Sequence, residues 1–132
     1  MSILIFEGNY QNDEFYALMG KYFASRKIAK ELEQQVYNED GSVWYVATQD
    51  GYLTGFVSVF EKSKHYFIDN LYVLPQYRGQ GIAKKLVESI CREDYNKPLK
   101  CIASNEYALK IFYGLGFVEV GTNGKYKKLC KH

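Results

Sequence analysis

The stretch Phe67-Ile68-Asp69-Asn70-Leu71-Tyr72-Val73-Leu74-Pro75-Gln76-Tyr77-Arg78-Gly79-Gln80-Gly81-Ile82-Ala83-Lys84-Lys85-Leu86 constrains the fold more than any other part of the chain. Aromatic and branched residues, the composition of a strand, lead through one proline and two glycines into Ile82, Leu86, Val87 and Ile90, the spacing of a helix. A strand that feeds a helix through so tight a turn commits the chain to a layered α/β architecture. The turn is also suited to binding. Glycine at 79 and 81 permits positive φ or a close approach of the backbone, and the first N–H groups of the helix have no intrahelical partners. The helix dipole places about half a positive charge there, so the combination cradles phosphate. Lys84 and Lys85 oppose the dipole in the first helical turn but suit a polyanion.

Spacing excludes two common phosphate loops. A Walker A loop needs GxxxxGK[ST], and the fifth residue after Gly79 is Lys84 rather than glycine. The dinucleotide pattern GxGxxG is met at Gly79 and Gly81 but fails at Lys84, and the strand before it closes a β-meander instead of opening a βαβ unit. Gln76, Gly79 and Gly81 instead fill the pattern [Q/R]-x-x-G-x-[G/A].

Around this segment the periodicity alternates between helical and extended. Residues 3–6 read as a first strand, and Asn12 can cap a helix carrying Phe15, Leu18, Met19 and Tyr22 on one stripe. A second helix is predicted from about Arg26 to Tyr37, with Ile28, Leu32 and Val36 on one side, ending at the turn Asn38-Glu39-Asp40-Gly41. Residues 43–48 and 53–60 read as strands joined by the hairpin signal Asp50-Gly51, and residues 65–73 complete an antiparallel meander. A helix from the glycine turn to about Glu93 follows, then a strand over 99–103, a helix from Asn105 to about Leu115, a strand over 117–121 and a last strand ending near Cys130. The order β-α-α-β-β-β-α-β-α-β-β predicts a mixed, mostly antiparallel central sheet with flanking helices and one parallel crossover.

Composition sets the remaining bounds. The 132 residues, 47% hydrophobic with a net charge of +2, describe one domain over 1–132 that buries about two-thirds of its unfolded surface, and they exclude disorder. The apolar runs are too short to span a membrane, the start lacks the basic region of a signal peptide, and a cytoplasmic protein is the expectation. Cys91, Cys101 and Cys130 lack CxxC spacing, and His65 and His132 are too scattered to complete a metal set, so the cysteines read as reduced thiols and no metal is expected. Near-neutrality hides an asymmetry: residues 1–74 carry ten acidic and six basic side chains, a balance of −4, and residues 75–132 five and eleven, a balance of +6. This is either scatter over solvated faces or a C-terminal half built to sit near a polyanion. Nucleic acid is the weaker reading, because the basic residues are spread out.

The pattern Leu71-x-Val73-x-Pro75-x-x-Arg78-Gly79-x-Gly81-Ile82-Ala83 resembles the pyrophosphate loop of the GNAT superfamily of acyl-CoA-dependent N-acetyltransferases. Asn105-Glu106-Tyr107-Ala108 leading to Gly116-Phe117 is similar to that family's N-x-x-A … G-F segment, and the element order matches along the whole chain. The resemblance implies a splayed parallel strand pair, with acetyl-CoA as co-substrate and a small-molecule or peptide amine as acceptor. No nucleic acid or membrane partner is expected, and a homodimer is left open. The backbone of Arg78, Gly79, Gln80, Gly81, Ile82 and Ala83, with Lys84 beside it, would hold the pyrophosphate. Leu71, Tyr72 and Val73 would pair with the pantetheine arm, and the N–H of Val73 would stabilise the oxyanion. Asn105 would bind pantetheine or cap its helix, or do both.

Direct attack requires a neutral amine and a proton acceptor. Asp69 is the candidate base, and in a regular strand it shares a face with Leu71 and Val73, an arrangement that a bulge would alter. Its other reading is a carboxylate paired with a neighbouring strand or loop. Glu14, Tyr16 and the connection over 23–27 lie where relatives form the acceptor cleft. One position departs from the pattern: the tyrosine that usually protonates the departing thiolate is Phe112 here, and Tyr113 stands about 100° around the helix unless the last turn at Gly114 tightens. That departure motivates a rival reading, an acyl-CoA-binding sensor with little turnover. The charge halves fit the same picture, the +6 half holding CoA and the −4 half facing a cationic amine.

Overall fold

The computed structural model describes residues 1–7 and 13–132. Its elements are β1 (Ser2–Glu7), α1 (Asp13–Phe23), α2 (Arg26–Leu32), β2 (Val43–Gln49), β3 (Tyr52–Glu61), β4 (Tyr66–Val73), a 3-10 turn (Pro75–Tyr77), α3 (Ile82–Cys91), β5 (Leu99–Ala103), α4 (Glu106–Gly114), β6 (Val118–Asn123) and β7 (Tyr126–Lys131). The seven strands form one sheet in the order β1-β2-β3-β4-β5-β7-β6, antiparallel throughout except for β4 against β5. This is the mixed α/β layer that the element order predicts, with α3 as the crossover. Asn12, the expected cap of α1, lies outside the described residues.

Strand alternation sorts the core into two layers. Tyr45, Ala47, Val57 and Val59 point to the side covered by Leu86, Val87 and Ile90 of α3 and Leu109 and Phe112 of α4. Trp44, Val46 and Phe56 point to the other side, against Phe15 and Met19 of α1 and Ile28 of α2. With both faces covered, β2 and β3 are buried almost without interruption. Each large side chain so enclosed contributes roughly 1.5–3 kcal/mol. Asp50 (φ 52) and Gly51 (φ 82) both adopt the left-handed conformation, which makes the β2–β3 connection the two-residue turn whose twist suits a hairpin.

The second helix is shorter than expected. It stops at Leu32, where Glu33 takes φ 60 as the C-cap and its carboxylate lies against Lys125, at 2.5 Å, and the hydroxyl of Tyr126. The following segment then bonds to the rest of the molecule: Gln35 Nε2 donates to Phe23 O (3.1 Å), and Tyr37 O accepts from Asn70 Nδ2 (3.1 Å). Val36 is still buried, with the α1–α2 layer, but from irregular chain. Among the described residues no helix is long and apolar enough to cross a membrane.

Candidate functional site

The site begins where the parallel pair comes apart. β4 and β5 are in register only at Tyr66–Leu99 and Phe67–Lys100. Beyond that point Asn70 (φ 56) inserts an extra residue into β4, and the register against β3 shifts between Phe56 and Ser58. Ile68 before the bulge packs on the α3–α4 side, and Leu71 and Val73 after it return to that side. Tyr72 and Leu74 go to the α1–α2 side. Asp69 lies on that second side as well, paired with Ser58 in register and accepting from Gln34 Nε2 at 2.7 Å. It therefore does not share a face with Leu71 and Val73 as a regular strand would have it; the inserted residue reverses the alternation.

The bulge is held by its own side chains. Buried Asn70 donates from Nδ2 to Ser58 Oγ (2.9 Å) and to Tyr37 O, and its backbone N–H donates to Asp69 Oδ1 (2.9 Å). Asparagine tolerates the left-handed conformation better than most residues, which suits it to this position. Gly55 is required opposite, because a Cβ there would stand 2.8 Å from the carbonyl oxygen of Tyr72.

Past the bulge, the N–H of Leu74 donates to Thr54 O on β3 (2.9 Å), so strand alternation turns the peptide groups of Val73 to the opposite edge, into the gap left by β5. The carbonyl of Val73 accepts from Arg78 Nε at 2.9 Å, and Arg78 Nη2 reaches Glu31 Oε2 at 2.7 Å. The guanidinium also stands 5.3 Å from the ring of Tyr72, whose hydroxyl donates to Glu31 Oε1 (3.1 Å). The hydrogen bond from Arg78 is the main cause holding the Glu31 carboxyl below its usual range, against an opposing desolvation effect. Burial, and then Glu31 itself, push the Tyr72 hydroxyl up, so it stays protonated. Arg78 thus ties the end of β4 to α2 and fixes the peptide that faces the gap.

The glycine turn has the conformation that its residues demand. Gly79 (φ 82) and Gly81 (φ 77) are left-handed, and a Cβ at either would meet nothing within 4 Å, so conformation and not space requires glycine. Gly81 is the N-cap of α3 and makes no side-chain cap; the first intrahelical bond there runs from Lys85 N to Gly81 O. The N–H groups of Ile82, Ala83 and Lys84 are left without intrahelical partners. The side chains of Ile82 and Ala83 are buried, so any ligand contact from them is through backbone; Arg78, Gly79, Gln80 and Lys84 are exposed.

Beside this helix start lies an open groove of about 330 Å³ lined by Gly81, Lys84, Tyr107, Lys110, Ile111 and Gly114. Tyr107, Lys110, Ile111 and Gly114 form one stripe of α4 by spacing. Sequence reasoning passed over Tyr107 and Lys110, although a tyrosine and a lysine on a stripe that begins two residues after Asn105 were a readable signal. Asn105 caps α4, its Oδ1 accepting from Tyr107 N (2.8 Å) and Ala108 N (3.2 Å). Phe112 is buried, with its ring 5.1 Å from that of Phe117. The last turn of α4 does tighten, Leu115 N donating to both Ile111 O and Phe112 O, yet Tyr113 stays exposed on the outside of the helix.

A second groove, of about 320 Å³, opens on the α1–α2 side of β4 between Lys21, Tyr22, Ser25 and Lys27 and the side chains of Tyr72 and Leu74. The 23–27 connection does border a cleft, while Glu14 is exposed and not part of its lining and Tyr16 accepts from Asn38 Nδ2 at 3.4 Å. The acidic half of the chain, expected to face a cationic amine, brings two lysines to this wall. Three of its ten carboxylates are paired with bases: Glu33 with Lys125, Glu61 with Lys97, and Glu31, at the rim through Tyr72, with Arg78.

Among the described residues no group of His, Cys, Asp and Glu side chains could hold a metal ion, and Cys91, Cys101 and Cys130 are free thiols. Compared with protein families, residues 8–132 match the acetyltransferase (GNAT) domain. An aminoglycoside N(6')-acetyltransferase type 1 of Salmonella typhimurium is 28% identical over 111 residues, 74% of this chain and 77% of that protein. Among solved structures, Escherichia coli ElaA superposes with a TM-score of 0.76 at 13% identity over 100% of both chains. The PaiA N-acetyltransferase of Thermoplasma acidophilum, solved in complex with coenzyme A, gives 0.67 at 17% identity over 99% of both.

Proposed function

The chain belongs to the GNAT acetyltransferase family, and on that premise we propose how its residues carry out acetyl-CoA-dependent N-acetylation of a primary amine. The observation that carries the reading is the divergence of β4 from β5 after two register pairs, directly ahead of an uncapped helix N-terminus. Both features fit the co-substrate: the gap is edged by strand backbone, and the helix start offers N–H donors to an anion. Acetyl-CoA supplies an acetyl thioester, whose C–S bond is exchanged for the C–N bond of the product amide.

The backbone of residues 78–83 holds the pyrophosphate, each aligned dipole contact contributing about 0.3–1 kcal/mol. Lys84 and Lys110 add charge from the two sides of the groove. The edge of β4 at Leu71, Tyr72 and Val73 takes the pantetheine arm as an added strand, and Asn105 bonds to it while keeping its capping role. Val73 N–H, fixed through Arg78 and the bulge, donates to the thioester oxygen as charge develops there; a donor of this kind is worth about 10²–10³ in rate. Asp69, on the α1–α2 side, accepts the amine proton through water from the face opposite the cofactor groove. The curated relative supports a small-molecule amine as acceptor. The setting is the cytoplasm, where the three free thiols stay reduced, and residues 1–132 act as one domain.

Calorimetry with acetyl-CoA and thiol release over a panel of primary amines test this reading. Micromolar binding and amine-dependent release are expected; no binding at millimolar acetyl-CoA contradicts it. Asp69→Asn is expected to lower turnover most at neutral pH with acetyl-CoA affinity nearly unchanged, and an unaltered pH–rate profile removes Asp69 from the role.

A further inference from the structure

The α1–α2 groove touches β4 at Tyr72 and Leu74, the residues on either side of Val73. An acceptor that reaches the peptide facing the gap from this side therefore passes along its wall. Lys21 and Lys27 bring two ammonium groups to that wall, and no carboxylate stands among the described residues that line it. Glu31, which meets the rim through the hydroxyl of Tyr72, is paired with Arg78 at 2.7 Å and also feels Lys27 one helical turn away, which leaves Lys21 the groove cation furthest from a carboxylate partner. Lys21 lies over the ring of Tyr22, its Nζ 5.2 Å from the centroid. Tyr22, Ile28 and Leu74 add apolar lining to the same groove. A polycation entering here meets like charge, whereas an anionic group gains two donors.

Building on the acetyltransferase reading, we propose that this groove selects a primary amine that also carries a carboxylate, an acceptor of the amino-acid type, with Lys27 and Lys21 binding the carboxylate. The acceptor class then differs from the polycationic one that the name of the curated relative suggests. Lys21 and Lys27 are exposed, so their replacement leaves the fold intact.

The test uses matched pairs that differ only in the carboxylate, phenylalanine with phenethylamine and lysine with cadaverine, together with an aminoglycoside. Each is assayed for kcat/KM by thiol release. In parallel, calorimetry measures the binding of N-acetylphenylalanine and N-acetylphenethylamine to CoA-loaded protein. The carboxylate member of each pair is expected to be favoured by about tenfold or more in both measurements, as one charge-assisted hydrogen bond provides. Lys27→Glu and Lys21→Glu are expected to remove that preference with the KM for acetyl-CoA unchanged. Equal or better use of the decarboxylated amines or the aminoglycoside overturns the proposal. So does an effect of the lysine variants on acetyl-CoA in place of the acceptor, and so does absence of both turnover and N-acetylphenylalanine binding. Failure of the underlying acetyltransferase reading is recognised separately, as loss of acetyl-CoA binding by the unmodified protein.

Discussion

Replacing Gly81 with alanine isolates the contribution of backbone conformation to cofactor binding. At φ 77 an L-residue with a Cβ costs about 1–2 kcal/mol relative to glycine. No packing penalty adds to this, because the new Cβ meets nothing within 4 Å. The cost must appear in one of two places. If the loop keeps its shape, it appears as lost stability, and 1–2 kcal/mol in a domain of this size lowers Tm by roughly 3–10 °C. If the loop relaxes, stability is spared and acetyl-CoA affinity falls by about 5- to 30-fold, because the first N–H groups of α3 no longer converge. Thermal unfolding and calorimetric titration of the same sample measure both shares. Gly81→Asn is expected to lose less on each, since asparagine enters the left-handed region more easily. Gly20→Ala, inside α1 and equally free of Cβ contacts, is expected to stabilise by about 0.5–1 kcal/mol with affinity unchanged. A Gly81→Ala protein with both Tm and affinity at their original values would refute a conformational requirement for glycine here.

Three further outcomes are expected. Glu31, held below its usual range by Arg78, contributes stability above its unfolded value near 4.5 and loses it as pH falls through its lowered folded value. For a pair this exposed the gain is about 0.5–1 kcal/mol at most, and Glu31→Gln should flatten the acid limb of a Tm–pH curve by that amount. Phe112→Tyr should raise turnover by restoring an acid for the departing thiolate. It should also cost about 1–3 kcal/mol in chemical denaturation, because the hydroxyl enters a site only 3% exposed. Cys101, whose thiol burial pushes up to about 12, should resist thiol reagents at pH 8 in the native protein and react once it is unfolded, as followed by mass spectrometry.

The parts of the fold that local chemistry determines were legible in the sequence. The strand Leu99–Ala103, the Asp50-Gly51 hairpin and the cap Asn105 stand where composition put them. What escaped depended on partners distant in sequence. The end of α2 at the left-handed Glu33 comes with contacts to Lys125 and Tyr126, more than 90 positions away, which no local window contains. That a bulge would alter the strand is readable in general, but a period of two cannot show whether one exists or which residue is inserted; the bonds of Asn70 to Ser58 and Tyr37 do. For the same reason the face of Asp69 followed from the sequence only for a regular strand, and the bulge places it on the other one. The division into acidic and basic halves was real arithmetic, yet net charge over 74 residues does not show which charges reach a cleft, and Lys21 and Lys27 do.

The amide of Val73 carries the central claim, since it is the group expected to face the reacting carbonyl. Amide hydrogen exchange and chemical shift, followed residue by residue as acetyl-CoA is titrated, test it most directly. The Val73 N–H is expected to slow in exchange and move downfield together with the amides of residues 79–83. That role for Val73 is contradicted if the 79–83 amides respond while Val73 exchanges as fast as in the free protein.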